Sequence, residues 1–408
     1  MKNQNDYPDI LAGRKQLGPY PMEKLKQVDK PTTKITDNIQ RFDAREQGFA
    51  RAARGDFGNL RTKTDSSRVV KDPLFPLFRT MMKGLPPVDT GVLPNEGSSM
   101  TPPMLEAFPQ KASIPDDPTV MSRNIKSMGY FLGADIMGIS ELPQWALYSH
   151  NTNGEPVESN HNYAISIVVD QGYRTLNGST GHDWISGSPP QKSYLFSAFI
   201  AGLIAGYIRN LGYQARVQHS QNYQVLITPL LLLSGIGEIC RGGIVLNPFI
   251  GLRYKAAAVT TDMPLGIDKP VDFGLQDFCD KCMKCAHECP SRAIPTGEKT
   301  MHNGYETWPI DYERCTKYRV GNPNGMGCGH CIKVCPWNKP GGFPHNLVRW
   351  TVARTPLANR AIIKMDDVFG YGKPDVRDKW QLDFSGNGVS QQQDKEYIRA
   401  EELDIPVR

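Results

Sequence analysis

The sequence predicts an α+β protein with a small cysteine-rich module attached to its core. Two observations support this class: helix-like and strand-like patterns alternate from residue 116 to about 275, and eight of the nine cysteines fall between residues 279 and 335. A chain of 408 residues exceeds what one hydrophobic core usually serves, so several structural units are expected. Residues 1–115 are expected to form an N-terminal wrapping segment and residues 116–275 the core. Residues 276–345 form the cysteine module, and residues 346–408 a C-terminal segment that packs back on the core.

Two helices are predicted in the core. The first begins at Asp117, which can cap it, and Pro118, which suits a first helical turn, and it ends at Gly133. The second runs from about 191 to 211 and ends at Gly212. Its apolar residues at helical spacing are Phe196, Phe199, Ile200, Leu203, Ile204 and Ile208.

Short apolar runs predict the strands of the core. They are ADIMGIS at 134–140, NYAISIVVD at 162–170, YQARVQ at 213–218, YQVLITP at 223–229 and the stretch around 257–261. The N-terminal segment is polar and rich in turn residues, above all at 84–103, so it should have little core of its own.

The cysteine module opens with FCDKCMKCAHECP at residues 278–290. A C-x2-C-x2-C-x3-C-P run is the bacterial ferredoxin signature for four-iron, four-sulfur clusters, in which three thiolates hold one cluster and the fourth holds the other. A second run, GCGHCIKVCPW, has Gly325 where its leading cysteine would stand, and Cys315 can supply that thiolate. The predicted ligands are Cys279, Cys282, Cys285 and Cys335 for cluster one, and Cys315, Cys328, Cys331 and Cys289 for cluster two.

Other interpretations of these cysteines fit less well. Zinc also favours four-cysteine sites, but not this tandem spacing with its prolines. CGHC at 328–331 is also a thiol–disulfide exchange motif, but no predicted strand precedes it and a third cysteine follows. His287 and His330 are expected to be solvated or to lie beside the ligands, and Cys240 to be a small buried hydrophobe.

Charge and hydropathy argue against nucleic-acid binding and against membrane-spanning segments. A net charge of +5 over this length gives no electrostatic argument for a nucleic-acid partner. The apolar stretches at 194–208 and 223–239 are too short or too interrupted to cross a bilayer, which takes about 20 apolar residues. The N-terminus shows no apolar export signal, so we expect a cytoplasmic protein or a mature form without its leader.

Several motifs in a fixed order resemble those of the corrinoid-dependent reductive dehalogenases. They are GADIMGI, NYQV, GIGEICRGG, GLRYKAAAVTTDMPL and DFCDKCMKCAHECPSRAI, with RFDAREQGFARAA near the start, and the likeness covers roughly residues 35–380. Epoxyqueuosine reductases share part of this pattern. The resemblance implies a nitroreductase-like core that holds a cobalamin-type corrinoid base-off, without an axial protein ligand. The chain contains no D-x-H-x-x-G motif that would supply such a histidine.

The resemblance also implies catalytic residues above the cobalt: Tyr194, Asn222 and a basic residue, Lys255 or Arg253. Replacing a carbon–halogen bond by carbon–hydrogen takes two electrons and a proton and releases an anion. A tyrosine of pKa about 10 is a poor acid near neutrality, and a cation within about 4–6 Å makes it a better proton donor. The same cation can stabilise the departing halide.

The resemblance places a glycine-rich loop along the corrinoid, because glycines permit close backbone approach; a plain turn is the alternative. The residues of this loop are Gly235, Gly237, Glu238, Arg241 and Gly242. Aromatic residues that could shape a dry substrate pocket are Phe42, Tyr130, Trp145, Phe196 and Trp337.

These features together predict a reductive dehalogenase of small organohalides, and the overall likeness favours chlorinated alkanes such as chloroform or trichloroethane. The resemblance implies an upstream electron donor, a small integral-membrane anchor protein and a place on the outer face of the cytoplasmic membrane. No nucleic-acid partner is expected. Two alternatives remain open: an epoxyqueuosine reductase-like enzyme acting on tRNA, and an electron-transfer subunit with two clusters and no corrinoid.

Overall fold

The structure, a computed structural model, describes residues 16–60, 80–82, 107–178, 187–322 and 327–373. The predicted turn-rich stretch at 84–103, Gly325 and the chain after residue 373 lie outside the described residues. The described α-helices are α1 Gly48–Arg54, α2 Pro118–Phe131, α3 Tyr173–Asn177, α4 Ser188–Asn210, α5 Ile227–Leu233, α6 Leu275–Cys282, α7 Lys284–His287, α8 Tyr312–Gly321, α9 His330–Lys333, α10 Phe343–Val352 and α11 Asn359–Val368.

A four-stranded antiparallel sheet forms the centre of the core. The described strands are β1 Ile136–Glu141, β2 Tyr163–Asp170, β3 Ala215–Gln218, β4 Glu238–Ile239, β5 Val245–Leu246, β6 Tyr254–Thr261, β7 Thr300–His302 and β8 Tyr305–Thr307. The sheet has the order β1–β2–β6–β3, while β4 pairs with β5 and β7 with β8. Helices packed on an antiparallel sheet give the predicted α+β class.

Helix α2 begins and ends where the sequence predicts. The carboxylate of Asp117 accepts hydrogen bonds from the N–H groups of Thr119 and Val120, and Pro118 occupies the first turn. Gly133 follows the last turn with φ +98°, a conformation that favours glycine.

Helix α4 packs across one face of the sheet and closes the main core. Ala201, Ile204 and Ala205 are fully buried against β2, β3 and β6. The predicted helix is confirmed. The expectation that Phe196 and Phe199 belong to its buried face is wrong, because they are 51% and 42% exposed. Small and β-branched residues face the sheet instead and let the helix approach it closely.

The predicted strand at 223–229 is wrong. Val225 makes an isolated bridge with Leu147, and α5 begins two residues later. Pro229 fits in the first turn of this helix because its missing N–H would have no intrahelical partner there. The leucines at 230–232 are all buried, so the run has no polar face to distinguish a helix from a strand.

The described part of the N-terminal segment lies along both later units. Gln27 forms an isolated bridge with Val271 of the core, Ile35 forms one with Tyr305 of the cysteine module, and α1 packs against α8. None of the helices that the structure describes is both long and apolar enough to cross a membrane.

Candidate functional site

Tyr194 and Lys255 meet at one end of the central sheet. Lys255 lies near the start of β6 and pairs across the ladder with Val169 near the end of β2. The hydroxyl of Ser193 donates a hydrogen bond of 3.2 Å to the carbonyl of Asp170, which fixes the second turn of α4 to the same end of β2. As a result, Lys255 Nζ lies 5.3 Å from the centre of the Tyr194 ring. Both side chains are half-buried.

Arg253, the other candidate cation, has a different role. Its guanidinium is 3% exposed and pairs with the Asp170 carboxylate at 3.0 Å. It also donates hydrogen bonds to the carbonyl of Lys339 at 2.7 Å and to the amide oxygen of Asn338 at 3.3 Å. Arg253 therefore joins the end of β2 to the loop after the second cysteine run, and the geometry favours Lys255 as the cation beside Tyr194.

Asn222 forms part of the turn after β3. Its side-chain oxygen accepts a hydrogen bond from the backbone N–H of His219 at 2.9 Å, and its amide donates to the carbonyl of Val217 at 3.4 Å. Through these two hydrogen bonds, the Asn222 side chain stabilises the turn. Its predicted place above a bound cofactor stays a prediction.

Two further phenols lie beside Tyr194 and were not predicted from the sequence. Burial and, to a smaller extent, the nearby Tyr194 together raise the pKa of Tyr148 to about 12. Burial also raises the pKa of Tyr223 well above its usual range, again with Tyr194 as a contributor, and the Tyr223 hydroxyl donates to the carbonyl of Ala256 at 2.6 Å. Phe42 packs on Tyr148 with ring centres 6.0 Å apart. An aromatic wall thus lines the Tyr194 side of the site.

The other aromatic residues predicted for the pocket serve elsewhere. Tyr130 accepts a hydrogen bond from a backbone N–H of β1, Trp145 packs edge-on against Tyr305, and Trp337 packs against two phenylalanines near the first cysteine run. Phe196 is exposed. Of the five predicted residues, Phe42 is the one that the described contacts bring to the Tyr194 group.

The geometry favours a plain turn for Gly235 and Gly237 over contact with a cofactor. A Cβ atom at Gly235, where φ is +70°, would lie 2.3 Å from the carbonyl oxygen of Lys269. One at Gly237 would lie 1.9 Å from the carbonyl oxygen of Leu246. The protein's own backbone therefore accounts for both glycines. Gly242 has no such backbone contact within 4 Å, and its approach to a cofactor stays a prediction.

Glu238, the first residue of β4, is buried against the start of α6. Its carboxylate accepts hydrogen bonds from the N–H groups of Phe273 and Leu275 and from the hydroxyl of Thr32. Burial raises its pKa, although the bond from Thr32 opposes this effect. The residue links the N-terminal segment to the cysteine module, which is a structural role within the described contacts.

Arg241 lies beneath the first cysteine run. Its guanidinium donates hydrogen bonds to the carbonyls of Cys279, Pro295 and Gly297 at 2.8–3.1 Å and lies 4.7 Å from the centre of the Trp308 ring. The described contacts therefore use Arg241 to hold the loop that carries the predicted cluster-one ligands, and its place along a corrinoid, which the resemblance implies, stays a prediction.

The first group of thiols combines both cysteine runs. Burial raises the pKa of Cys335 well above its usual range, and the nearby thiols of Cys240, Cys282 and Cys285 act in the same direction. Burial and nearby thiols, Cys335 among them, act in the same way on Cys279. Cys335 of the second run therefore lies with the three cysteines of the first, which is the grouping predicted for cluster one.

The second group has the complementary membership. Burial first, and then the thiols of Cys315 and Cys289, raise the pKa of Cys328 to about 12. Cys331 is affected in the same way, by burial first and then by Cys328, Cys315, Cys285 and Cys289, so it also lies near a thiol of the first group. Cys289 of the first run thus lies with the thiols predicted for cluster two.

The donor set fits two cubane clusters. A cubane takes one thiolate on each of four irons, and each group offers four buried or half-buried thiols drawn from both runs. Within the described ranges, no three Cys, His, Asp or Glu side chains converge tightly enough to hold a single metal ion.

Buried polar atoms without partners surround the Tyr194 end of the sheet. Ser188 Oγ and Gln191 Nε2, in the first turns of α4, and Gln171 Oε1, just after β2, are buried and make no hydrogen bond to the part of the chain that the structure describes. Such atoms are costly unless a bound group satisfies them. The amide groups around a corrin ring could do so, and the residues present therefore fit that cofactor.

A separate cavity of about 330 Å³ lies between the cluster-one loop and the C-terminal helices. It is lined by Phe278, Pro336, Trp337, Lys339, Pro344, His345, Val348, Arg349, Val352, Ile362, Met365, Asp366, Phe369 and Tyr371. Neither Tyr194 nor Lys255 lines it, so it is distinct from the site at the end of the sheet.

Comparison with known proteins relates these features to one family. The model of the 4Fe-4S dicluster domain matches residues 278–339. A tetrachloroethene reductive dehalogenase of Desulfitobacterium hafniense is 33% identical over 254 residues, covering 59% of this chain and 43% of that protein. One from Sulfurospirillum multivorans is 38% identical over 155 residues, covering 36% of this chain and 30% of that protein. The matches thus span less than half the length of these curated relatives.

Solved structures extend the likeness to the fold. A catabolic reductive dehalogenase in complex with 3-bromo-4-hydroxybenzoic acid matches with a TM-score of 0.79 at 39% identity, over 88% of this chain and 51% of that chain. Another solved structure, of a reductive dehalogenase described with a mechanism for B12-dependent dehalogenation, matches with a TM-score of 0.79 at 38% identity, over 90% of this chain and 52% of that chain. The described fold is the one that these structures share.

Proposed function

We propose that this chain, a homologue of the reductive dehalogenases, replaces carbon–halogen by carbon–hydrogen in small organohalides. The reaction consumes two electrons and one proton and releases a halide ion. The observation that carries the proposal is the Tyr194–Lys255 pair, with Nζ 5.3 Å from the ring centre, at the end of a sheet whose neighbouring module groups eight thiols in two sets of four. A proton donor and an electron path therefore occur in one chain.

When bound, each of the two clusters would pass one electron at a time. A base-off corrinoid would supply a reducible cobalt. Cys279, Cys282, Cys285 and Cys335 would hold one cluster, and Cys315, Cys328, Cys331 and Cys289 the other. Ser188, Gln191 and Gln171 would satisfy polar groups at the rim of the corrinoid, in a core of the nitroreductase-like type.

Tyr194 holds the proton that the product takes up. Transfer leaves a phenolate, and the ammonium of Lys255 against the ring stabilises that charge. The same ammonium is placed to stabilise the departing halide. Tyr148 and Tyr223, whose pKa values burial raises, stay protonated beside Tyr194. They form a neutral aromatic wall that excludes water from the reacting groups.

The substrate is a small chlorinated hydrocarbon in this proposal. Sequence likeness favoured chlorinated alkanes such as chloroform or trichloroethane. The curated relatives named above are tetrachloroethene dehalogenases, which makes chlorinated ethenes equally strong candidates. The aromatic wall of Phe42, Tyr148 and Tyr223 suits either class, because both are compact and apolar.

We also propose an upstream electron donor, a small integral-membrane anchor protein and a place on the outer face of the cytoplasmic membrane. The support is the family resemblance. A nucleic-acid partner is not part of the proposal, since the net charge of +5 is small for this length.

The test is turnover by purified holoprotein with reduced viologen as electron donor. Chloroform, trichloroethane and tetrachloroethene are supplied separately, and chloride release and the dechlorinated product are measured. Stoichiometric chloride and product from one of them support the proposal. The proposal would be contradicted if protein that contains cobalt and iron released no chloride from these three compounds and none from a wider organohalide panel.

A further inference from the structure

Three charged side chains form a largely buried group between the cysteine module and helix α11. Lys284 Nζ lies 2.6 Å from Asp366 Oδ2, and Lys339 Nζ lies 2.5 Å from Asp366 Oδ1. The side chains of Lys284, Lys339 and Asp366 are 15%, 12% and 5% exposed. Each oxygen of the carboxylate therefore faces one ammonium, in a place that water hardly reaches. We call these three residues the buried charge group.

The two lysines of the buried charge group belong to the two cysteine runs. Lys284 stands between the predicted cluster-one ligands Cys282 and Cys285. Lys339 follows Cys335, the ligand that the second run contributes to cluster one, by four residues. The group therefore approaches the predicted cluster from both runs, while its carboxylate comes from a helix outside them.

The neighbouring thiols feel charges of both signs. Burial raises the pKa of Cys282 to about 11, the backbone N–H and the ammonium of Lys284 act to lower it, and Asp366 acts to raise it. Burial lowers the pKa of Lys339, and the nearby Cys335 acts in the opposite direction. The buried charge group is thus in electrostatic contact with predicted ligands from both runs, and its carboxylate and ammoniums act with opposite sign.

Helix α11 and Lys339 are also held by contacts outside the buried charge group. At the start of α11, the amide of the fully buried Asn359 donates a hydrogen bond of 2.7 Å to the carboxylate of Asp277 on α6. The ammonium of Lys339 lies 3.7 Å from the centre of the Tyr371 ring, and its carbonyl accepts a hydrogen bond of 2.7 Å from Arg253. One charge of the group can therefore be removed while the helix and the lysine keep their places.

Charges this close to an iron–sulfur cluster change its reduction potential. Uptake of one electron makes the cluster more negative by one charge, so a nearby ammonium stabilises the reduced form and a nearby carboxylate destabilises it. Solvent and salt weaken the effect of an exposed charge more than that of a buried one. Asp366 is placed to oppose the effect of both lysines.

We propose that the carboxylate of Asp366 lowers the reduction potential of cluster one by compensating the charges of Lys284 and Lys339. A lower potential makes the reduced cluster a stronger electron donor to the acceptor that follows it. Asp366 is a positioning residue in this role, because it acts on the cluster through charge and through the two lysines. The proposal rests on the predicted cluster-one ligands and not on the dehalogenation reaction.

The experiment is a redox titration of purified holoprotein followed by electron paramagnetic resonance. The test variant is Asp366→Asn, which removes the charge but keeps the size and an oxygen that can accept hydrogen bonds. Lys339→Gln removes a charge of the opposite sign. The matched control is Asp367→Asn, because Asp367 binds Lys284 at 2.7 Å but its side chain is 58% exposed. Iron content and urea unfolding show whether each variant keeps its clusters and its stability.

Asp366→Asn should raise the midpoint potential of cluster one. We expect the ratio of reduced to oxidised cluster at a fixed potential to rise at least about tenfold, which is about 59 mV for a one-electron couple. Lys339→Gln should shift the midpoint in the opposite direction. Asp367→Asn should change the ratio less than about threefold, and its effect should fade as salt is added. Cluster two should keep its potential in all three variants.

Opposite shifts in the two test variants separate a charge effect from a purely structural one, which would change stability without this sign pattern. An unchanged midpoint in Asp366→Asn, or equal shifts in Asp366→Asn and Asp367→Asn, would overturn the proposal. If Asp366→Asn loses cluster one, Lys339→Gln decides: a downward shift supports the proposal and an unchanged midpoint overturns it. Dehalogenation without the predicted shifts would refute this inference alone, whereas the shifts without dehalogenation would refute only the proposed function.

Discussion

The ammonium of Lys255 lies 5.3 Å from the centre of the Tyr194 ring, so the cation faces the ring of the phenol that we assign as proton donor. The two residues come from different elements, β6 and α4, and the bond from Ser193 to Asp170 holds those elements together at this end of the sheet. The structure also distinguishes the roles of two cations, Lys255 and Arg253, that lie two positions apart in sequence. Lys255 faces the phenol, whereas Arg253 is buried in an ion pair with Asp170.

Replacing Tyr194 by phenylalanine should remove the proton donor while leaving the fold intact. We expect turnover to fall by about a hundred- to ten-thousand-fold, the usual loss for a positioned general acid. Iron and cobalt content should not change. The measurement is chloride release with reduced viologen. Tyr207→Phe is the matched control, because Tyr207 lies on the same helix and contacts Asn124 near the surface. Equal activity of both variants would remove Tyr194 from the reaction.

The crossed ligand sets predict an effect that would not be expected if each cysteine run held its own cluster. Cys335→Ala changes the second run but should perturb cluster one, and Cys289→Ala changes the first run but should perturb cluster two. Each variant should alter one of two cluster signals in electron paramagnetic resonance and lower the iron content below about eight per chain. Cys240→Ala should retain both signals. The opposite pairing of variants and signals would refute the crossed assignment.

Arg319 should raise the reduction potential of cluster two. It follows Cys315 by four residues on α8, and its positive charge acts to lower the pKa of the Cys315 and Cys328 thiols against the larger effect of burial, so it lies on the cysteine side of the helix. A nearby positive charge stabilises the more negative, reduced cluster. Arg319→Gln should therefore shift the midpoint potential of cluster two downward in a titration followed by electron paramagnetic resonance.

The control for Arg319 is Arg314→Gln on the same helix, where the guanidinium is paired with Asp311 at 3.1 Å. Its effect on the cluster-two potential should be smaller, since its charge is already compensated. Cluster one should keep its potential in both variants. A shift of equal size for the two substitutions would show that Arg319 has no special electrostatic role.

The ion pair between Arg253 and Asp170 should contribute strongly to stability. Arg253→Ala leaves a largely buried carboxylate unpaired, which typically costs about 3–5 kcal/mol in the free energy of unfolding. Lys269→Ala removes an exposed pair with Asp29 and should cost much less, because solvent screens exposed ion pairs. Urea unfolding of proteins with the same iron content measures both. Similar losses for the two variants would contradict the structural role of Arg253.

Features with a local cause were predictable from the sequence. The start of α2 follows from Asp117 and Pro118, because capping acts within one turn. The grouping of thiols follows from cysteine spacing, since a cluster imposes its geometry on the loop. The resemblance to the reductive dehalogenases, stated from ordered motifs, is confirmed by relatives at 33% and 38% identity.

Features that depend on tertiary packing were missed or misjudged. Residues 223–229 were predicted as a strand because the short apolar run shows no helical periodicity, and the buried leucines that continue it at 230–232 add no polar face. The choice between a cofactor loop and a plain turn at Gly235 and Gly237 could not be made from the sequence, because the carbonyls close to them come from other segments of the chain. Tyr148 and Tyr223 carry no local signal, because only folding brings their separate segments beside Tyr194.

The central claim is that this chain joins an eight-thiolate iron–sulfur relay to a buried corrinoid beside Tyr194. Metal analysis of purified holoprotein, with the pigment extracted and its absorbance recorded, tests it most directly. We predict about eight irons per chain, from two clusters of four, with one cobalt and a corrinoid spectrum. Zinc in place of iron, or iron with neither cobalt nor corrinoid, would contradict the claim.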